Sequence, residues 1–170
     1  VIQKEKDVWY LRISKYAGER FDLIQAGGGN SSVKEDGKMY IKSSGHHLSD
    51  ITENKGYSVV DNKKILEILD FKFGDNKREN DKITAQFVQE AIISGSRPSI
   101  ETLLHSMFDK YTLHTHPLSV NIVCASHDCE DTLKKIFAGE SVLFVEYKTP
   151  GIELALELKK QMDAFEKLSG

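Results

Sequence analysis

His114 and His116 stand one residue apart in the run Thr112-Leu113-His114-Thr115-His116, which Pro117 closes. If that run is extended, side chains alternate across it and both imidazoles project from one face. Such a pair suits a divalent metal, although a catalytic zinc site ordinarily takes three protein ligands and leaves one position open. Two histidines are therefore either part of a site or an ordinary hydrogen-bonded pair. Glu101 offers a different chemistry. In the first turn of a helix its carboxylate gains roughly 0.3–1 kcal/mol from the helix dipole without any function. Desolvated beside a metal-bound substrate, it would be a general base that moves a proton on a carbon next to a carbonyl. His105 lies one helical turn further on, on the same face, where it either orients Glu101 or serves packing alone.

A second group of residues could hold an anion. The run Gly27-Gly28-Gly29-Asn30-Ser31-Ser32 matches neither GxGxxG nor GxxxxGK[ST], which excludes the dinucleotide and P-loop readings. Glycines still let backbone N–H groups approach an anion, and Asn and Ser add side-chain donors, so the loop is a candidate phosphate cradle. Ser43-Ser44-Gly45, directly after Lys42, is a second candidate piece. Arg97-Pro98-Ser99 is a third, because a helix opening at Pro98 or Ser99 would present free N–H groups beside Arg97. Each stretch taken alone is equally an ordinary turn or helix start. His46, His47 and His127 have no spacing that recommends them as ligands and read as surface residues, and Cys124 and Cys129 as reduced cysteines without a role.

The elements that must position these groups follow from periodicity and punctuation. Apolar residues at Val8, Leu11, Ile13 and Tyr16 predict an amphipathic helix from Lys4 to about Glu19, ending near Gly18. Asp36-Gly37 between Val33-Lys34 and the alternating Met39-Tyr40-Ile41-Lys42 predicts a hairpin. A strand is expected at Tyr57 to Val60 and an exposed loop from Gly74 to Asp81. A helix should run from Ile83 to Ser94 and stop at Gly95; the next should carry Ile100, Leu103, Leu104 and Met107 inward. Further helices are expected from Ser119 to Ala125, before Gly139, and from Ile152 to about Leu168. Val142-Leu143-Phe144-Val145-Glu146-Tyr147 reads as a buried strand. Mixed strands and helices with a hairpin predict an α/β layered domain whose sheet is at least partly antiparallel.

Composition narrows the partners. With 170 residues, 39% of them hydrophobic, the chain can bury one sizeable core and is expected to be one domain. Its net charge of −3 comes from acids and bases mixed along the whole length, without the basic stripe that nucleic-acid binding needs. No apolar run approaches the roughly 20 residues that span a bilayer, and Val1 to Lys6 lack a signal peptide's apolar core. The expectation is a cytoplasmic protein with neither nucleic-acid nor membrane partners.

The order of these motifs adds what none carries alone. Gly-Gly-Asn-Ser-Ser (28–32), Lys-Ser-Ser-Gly (42–45), Arg-Pro-Ser-Ile-Glu-Thr-Leu-Leu-His (97–105) and His-Thr-His-Pro (114–117) occur in an order that resembles the class II aldolase/adducin family. That family includes fuculose-phosphate and rhamnulose-phosphate aldolases and ribulose-phosphate 4-epimerase, and residues 97–105 are most similar to rhamnulose-phosphate aldolase/dehydrogenase-type proteins. The resemblance spans Gly27 to the final helix. It implies a three-layer α-β-α fold with a central, mainly antiparallel sheet, and a Zn2+ or other divalent metal held by His114 and His116. It implies Glu101 as the acid/base residue and a phosphate pocket lined by Gly29, Asn30, Ser44, Gly45 and Ser99. The implied reaction splits a ketose 1-phosphate into dihydroxyacetone phosphate and an aldehyde through a metal-stabilised ene-diolate, in a homotetramer with sites between subunits. The family's third histidine ligand lies in a His-Gly strand beyond the helix matching Ile152 to Leu168. The sequence contains no His-Gly, so the domain is expected to be incomplete at its C-terminus, and inactivity of this form by itself is one of the alternatives left open. Ile100 stands where fuculose-phosphate aldolase has a phosphate-binding serine. A sugar-phosphate 4-epimerase would be expected to carry Asp in place of Glu101. The same scaffold is also compatible with a dehydratase, and with a metal-free, adducin-like assembly module.

Overall fold

The computed structural model describes residues 8–169. Its centre is a hairpin in which β1 (Asn30–Glu35) returns as β2 (Lys38–Lys42). Asp36 and Gly37 both take positive φ, 49° and 75°, the left-handed pair that matches the twist of a two-residue hairpin. β2 pairs with β3 (Tyr57–Asp61), β3 with β4 (Ile92–Ser94), and β1 with β5 (Tyr111–His114). The result is a five-stranded antiparallel sheet in the order β4-β3-β2-β1-β5.

Each face of the sheet is covered, which accounts for the apolar character of both sides of the hairpin. On one face Met39, Ile41 and Val60 pack with Ile65, Ile68, Leu103, Ile152 and Ala155. These residues bring in α2 (Asn62–Glu67), α4 (Thr102–Ser106) and α7 (Ile152–Ser169). α3 (Lys77–Glu90) joins this layer through Phe87 and Val88. On the other face Val33 packs with Tyr10 and Ala17 of α1 (Val8–Gly18) and with Ile24, Leu48 and Ile51. Helices on both sides of an antiparallel sheet make the expected three-layer α-β-α domain. Full burial of residues such as Met39 and Ile41 stabilises by about 1.5–3 kcal/mol each. α5 (Leu118–Cys124) and α6 (Cys129–Ile136) follow β5, and among the described residues no helix is long and apolar enough to cross a membrane.

Several expectations are corrected. The part of the first helix from Lys4 to Asp7 lies outside the described residues. In the rest, Tyr10, Ser14 and Ala17 are buried rather than the stripe of Val8, Leu11, Ile13 and Tyr16. Small side chains set that face: Ser14 Oγ donates to Tyr10 O at 2.6 Å and lies 2.7 Å from Ser31 Oγ of the sheet. The polar stretch after Gly74 becomes helical at Lys77, because Asn76 Oδ1 accepts from Glu79 N at 3.2 Å and caps the first turn. α3 ends at Glu90, so Ile92–Ser94 is an edge strand and Gly95 terminates a strand rather than a helix.

The next helix starts at Thr102 rather than Pro98 or Ser99, since Ser99 O accepts from both Thr102 N and Thr102 Oγ1 in a preceding turn. Ile100, in that turn, is 61% exposed and does not face inward. Val142 to Tyr147 is irregular and pairs with no strand; Val142 to Val145 are half-buried and Glu146 and Tyr147 exposed. A short apolar run without alternation cannot be assigned by periodicity alone; here it carries the chain from α6 to α7.

Candidate functional site

The register of β1 against β5 sets Asn30 opposite His114. Gly29, just before that pair, takes φ +70°, and a Cβ there would lie 2.1 Å from Ile24 Cδ1 and 2.9 Å from His114 O. Only glycine fits, and its absence of a side chain lets the loop close against the end of β5. His116 lies just past β5, held by its N–H donating to Leu23 O at 2.8 Å.

The other two candidate loops are joined to each other by backbone. Ser44 N donates to Arg97 O at 2.9 Å and Ser99 N to Lys42 O at 3.1 Å. Ser99 Oγ in turn accepts from Glu101 N at 3.2 Å, which fixes the glutamate at the head of α4. The three stretches therefore meet: Gly29, Asn30, Ser44, Gly45 and Ser99 share the lining of one cavity of about 250 Å3 with Glu101 and His116.

At one wall of this cavity Glu101 Oε2 accepts from His114 Nδ1 at 2.8 Å and from Asn30 Nδ2. Burial pushes the Glu101 carboxyl up, but the hydrogen bond and charge of His114, with help from His105 and Asn30, outweigh it, and the net direction is down. Glu101 is thus held as a carboxylate. His116 is drawn towards its neutral form, first by burial and then by His114, whose ring lies 4.7 Å away between centroids. His105 is 2% exposed; its Nδ1 lies 2.8 Å from Ser32 Oγ, and burial pushes it down to about 3 despite Glu101. At neutral pH it is an uncharged imidazole.

Lys42 was not singled out from the sequence as a site residue. It is buried at the same cavity, with Nζ donating to His46 O at 2.7 Å and Gly27 O at 3.4 Å. A lysine at a buried position of an alternating strand costs free energy unless its charge is used or paired, and that was the available signal. Burial lowers its pKa while Glu101 opposes the shift. His127 and His47 are exposed as expected. His46 is half-buried, against the surface reading, because its carbonyl is recruited by Lys42. Cys124 and Cys129 are free thiols.

One donor atom from each of Glu101, His105 and His114 lies within 4.8 Å of the others. A carboxylate and uncharged imidazoles are hard-to-borderline donors suited to a divalent ion such as zinc. The buried His105 Nε2, which has no hydrogen-bond partner, is consistent with that use. His116 adjoins this cluster through His114 without belonging to it. The residues therefore fit a divalent metal beside the cavity on which the three candidate loops converge.

A layered α-β-α domain with a carboxylate–imidazole cluster at the end of one strand is the class of protein these features define. Residues 12–168 match the profile of the class II aldolase and adducin N-terminal domain, and the chain belongs to that family. The structure is similar to the N-terminal class II aldolase domain of a conserved protein from Thermoplasma acidophilum, with TM-score 0.78, 23% identity, and coverage of 96% of this chain and 76% of that one. It is also similar to an L-fuculose 1-phosphate aldolase, with TM-score 0.58 and 25% identity over 94% of this chain and 69% of that one. No curated protein matches in sequence.

Proposed function

We propose that the protein is a zinc-dependent aldolase that splits a ketose 1-phosphate into dihydroxyacetone phosphate and an aldehyde, working as a cytoplasmic homotetramer. The observation that carries this reading is the contact of Glu101 with His114 at the wall of a cavity on which three glycine- and serine-containing stretches converge. Membership of the family and likeness to an L-fuculose 1-phosphate aldolase support it.

A divalent cation held at His114 and His116, with Glu101 close by, would supply Lewis-acid polarisation of the substrate's oxygens. The rest falls to the chain's own residues. The phosphate sits among Gly29, Asn30, Ser44, Gly45 and Ser99, where the glycines let it approach the backbone closely and the Ser44 and Ser99 hydroxyls donate, and Lys42 adds a positive charge. That binding, remote from the bond that breaks, positions the sugar carbons. Cleavage leaves an electron pair on the carbon of the phosphate-bearing half, while the hydroxyl on the other half gives up its proton to the Glu101 carboxylate as the aldehyde forms. Glu101 delivers a proton to the first carbon and is restored as the carboxylate its surroundings favour. Asn30 and His114 hold the carboxylate in place for that transfer.

The test is to incubate the zinc-loaded protein with a panel of ketose 1-phosphates and measure dihydroxyacetone phosphate. Its release, lost in Glu101→Gln, supports the reading. Inversion of a substrate carbon without release would make the protein an epimerase, and no reaction with any sugar phosphate would favour a metal-free assembly module.

A further inference from the structure

Ser58 is fully buried in β3, an interior strand of the sheet. A β-branched apolar residue would suit such a position by propensity, and a serine hydroxyl taken out of water has to find partners there. Ser58 Oγ has two. It donates its hydrogen to Ser96 O. It also lies 2.8 Å from Ser43 Oγ, and because its own hydrogen is engaged, Ser43 is the donor in that second bond.

The two partners belong to the two stretches that are joined over the cavity. Ser43 directly follows β2, donates from its N–H to Gly56 O at 2.9 Å, and leads into Ser44 and Gly45. Ser96 follows β4 and leads into Arg97, Pro98 and Ser99. Between them and β3 there is no slack. Gly95 takes φ +90°, and a Cβ there would lie 2.8 Å from Tyr57 O and 2.9 Å from Ser58 Cα, so the second stretch runs directly against the strand. The backbone bonds from Ser44 N to Arg97 O and from Ser99 N to Lys42 O then lock the two stretches to each other. Ser99 Oγ in turn accepts from Glu101 N, so whatever places Ser99 also places the head of α4.

We propose that Ser58 is the positioning residue of the phosphate cradle. Through Ser43 and Ser96, its one hydroxyl sets the spacing of the two stretches and thereby the geometry that the anion meets. Ser58 itself does not line the cavity and touches no ligand. Without its hydroxyl, Ser43 loses its acceptor and Ser96 O its donor, and the backbone pairs that depend on their placement loosen. The inference rests on the reading that phosphate binds among Gly29, Asn30, Ser44, Gly45 and Ser99, and it adds a residue from outside that set.

The experiment compares the purified parent chain with Ser58→Ala, with Ser58→Thr, which keeps the hydroxyl, and with Ile68→Val. The last removes one buried methyl group from the core outside both stretches and controls for lost stability. Each form is followed by amide hydrogen exchange and titrated with inorganic phosphate, read from backbone amide shifts. In Ser58→Ala the amides of Ser44 and Ser99 should exchange about 10-fold faster relative to those of the β1–β2 pairing, and the Kd for phosphate should rise roughly 10-fold, the weight of one buried hydrogen bond in an equilibrium. Ser58→Thr should restore both, and Ile68→Val should lower Tm with neither change. Ser58→Cys, which fills the same space with a weaker donor, should fall between Ala and Thr and carries the comparison if the Ala variant folds poorly. If Ser58→Ala or Ser58→Cys binds phosphate like the parent, or if Ile68→Val weakens binding as much, Ser58 serves stability alone and the proposal is overturned while the phosphate reading stands. If no amide of the parent responds to phosphate, the reading of the cavity fails and this inference with it.

Discussion

Glu101, at the head of α4, accepts a 2.8 Å hydrogen bond from Nδ1 of His114, the last residue of β5. The two are thirteen positions apart in sequence, and the bond ties a helix on one face of the sheet to the end of an outer strand. A carboxylate able to move a proton is thereby set beside an imidazole able to bind a metal. The same bond, with that from Asn30, keeps Glu101 ionised in spite of its burial.

If Glu101 moves the proton, Glu101→Gln keeps the volume and one acceptor oxygen and removes the titratable group. The expected outcome is a fall in kcat of about 10²–10⁴ with far-UV circular dichroism and Tm close to the parent's. A kcat within a few-fold of the parent's would assign the proton transfer elsewhere.

Lys42 should act on binding rather than on chemistry. Lys42→Met retains an apolar stem and removes the charge at the floor of the cavity. Loss of a charge-assisted hydrogen bond worth about 1.5–3 kcal/mol should raise the KM for a phosphorylated substrate roughly 10–100-fold. Steady-state kinetics would show it as an effect on KM with little change in kcat.

The pH dependence of stability in the metal-free protein should carry the signature of His105. Its folded pKa is pushed down from 6.5 to about 3 by burial. Between these values the unfolded chain binds a proton that the folded chain refuses. The stabilisation from the neutral imidazole is therefore complete above pH 6.5 and declines as pH falls towards 3, by at most about 1.4 kcal/mol per pH unit for one proton. Glu101, whose pKa is also lowered, adds to the decline below about 4.5. Urea denaturation from pH 7 to pH 4 should show the loss, and His105→Gln should flatten its upper part.

Gly29→Ala tests the closure of the first loop on β5. The substitution forces a side chain into φ +70° and sets a methyl group 2.1 Å from Ile24 Cδ1 and 2.9 Å from His114 O. A destabilisation of at least about 1–2 kcal/mol from the backbone alone is expected. It should be read as a lowered Tm, with a weakened response to inorganic phosphate because the loop can no longer sit against His114.

The hairpin around Asp36-Gly37, the β3 strand and the last helix were legible because local chemistry dictates them. Turn residues with positive φ and clean alternation leave little choice. The three loops stood out in the sequence one by one, but not their convergence on one cavity, which depends on backbone pairs such as Ser44 with Arg97. What stayed hidden depends on tertiary context. The buried face of α1 is chosen by Ser14 meeting Ser31 rather than by its most apolar stripe. The start of α3 hangs on a single capping Asn76 in a stretch that is otherwise polar. Lys42 and His105 are polar residues whose burial no local pattern announces, and both line or adjoin the site for that reason.

The most direct test of the central claim is the release of dihydroxyacetone phosphate from a ketose 1-phosphate, measured as prepared, after exhaustive chelation, and after return of one equivalent of zinc. The expected result is release that chelation abolishes and zinc restores, in the parent and not in His114→Ala. Release that persists undiminished after chelation, or that survives the loss of His114, would contradict it.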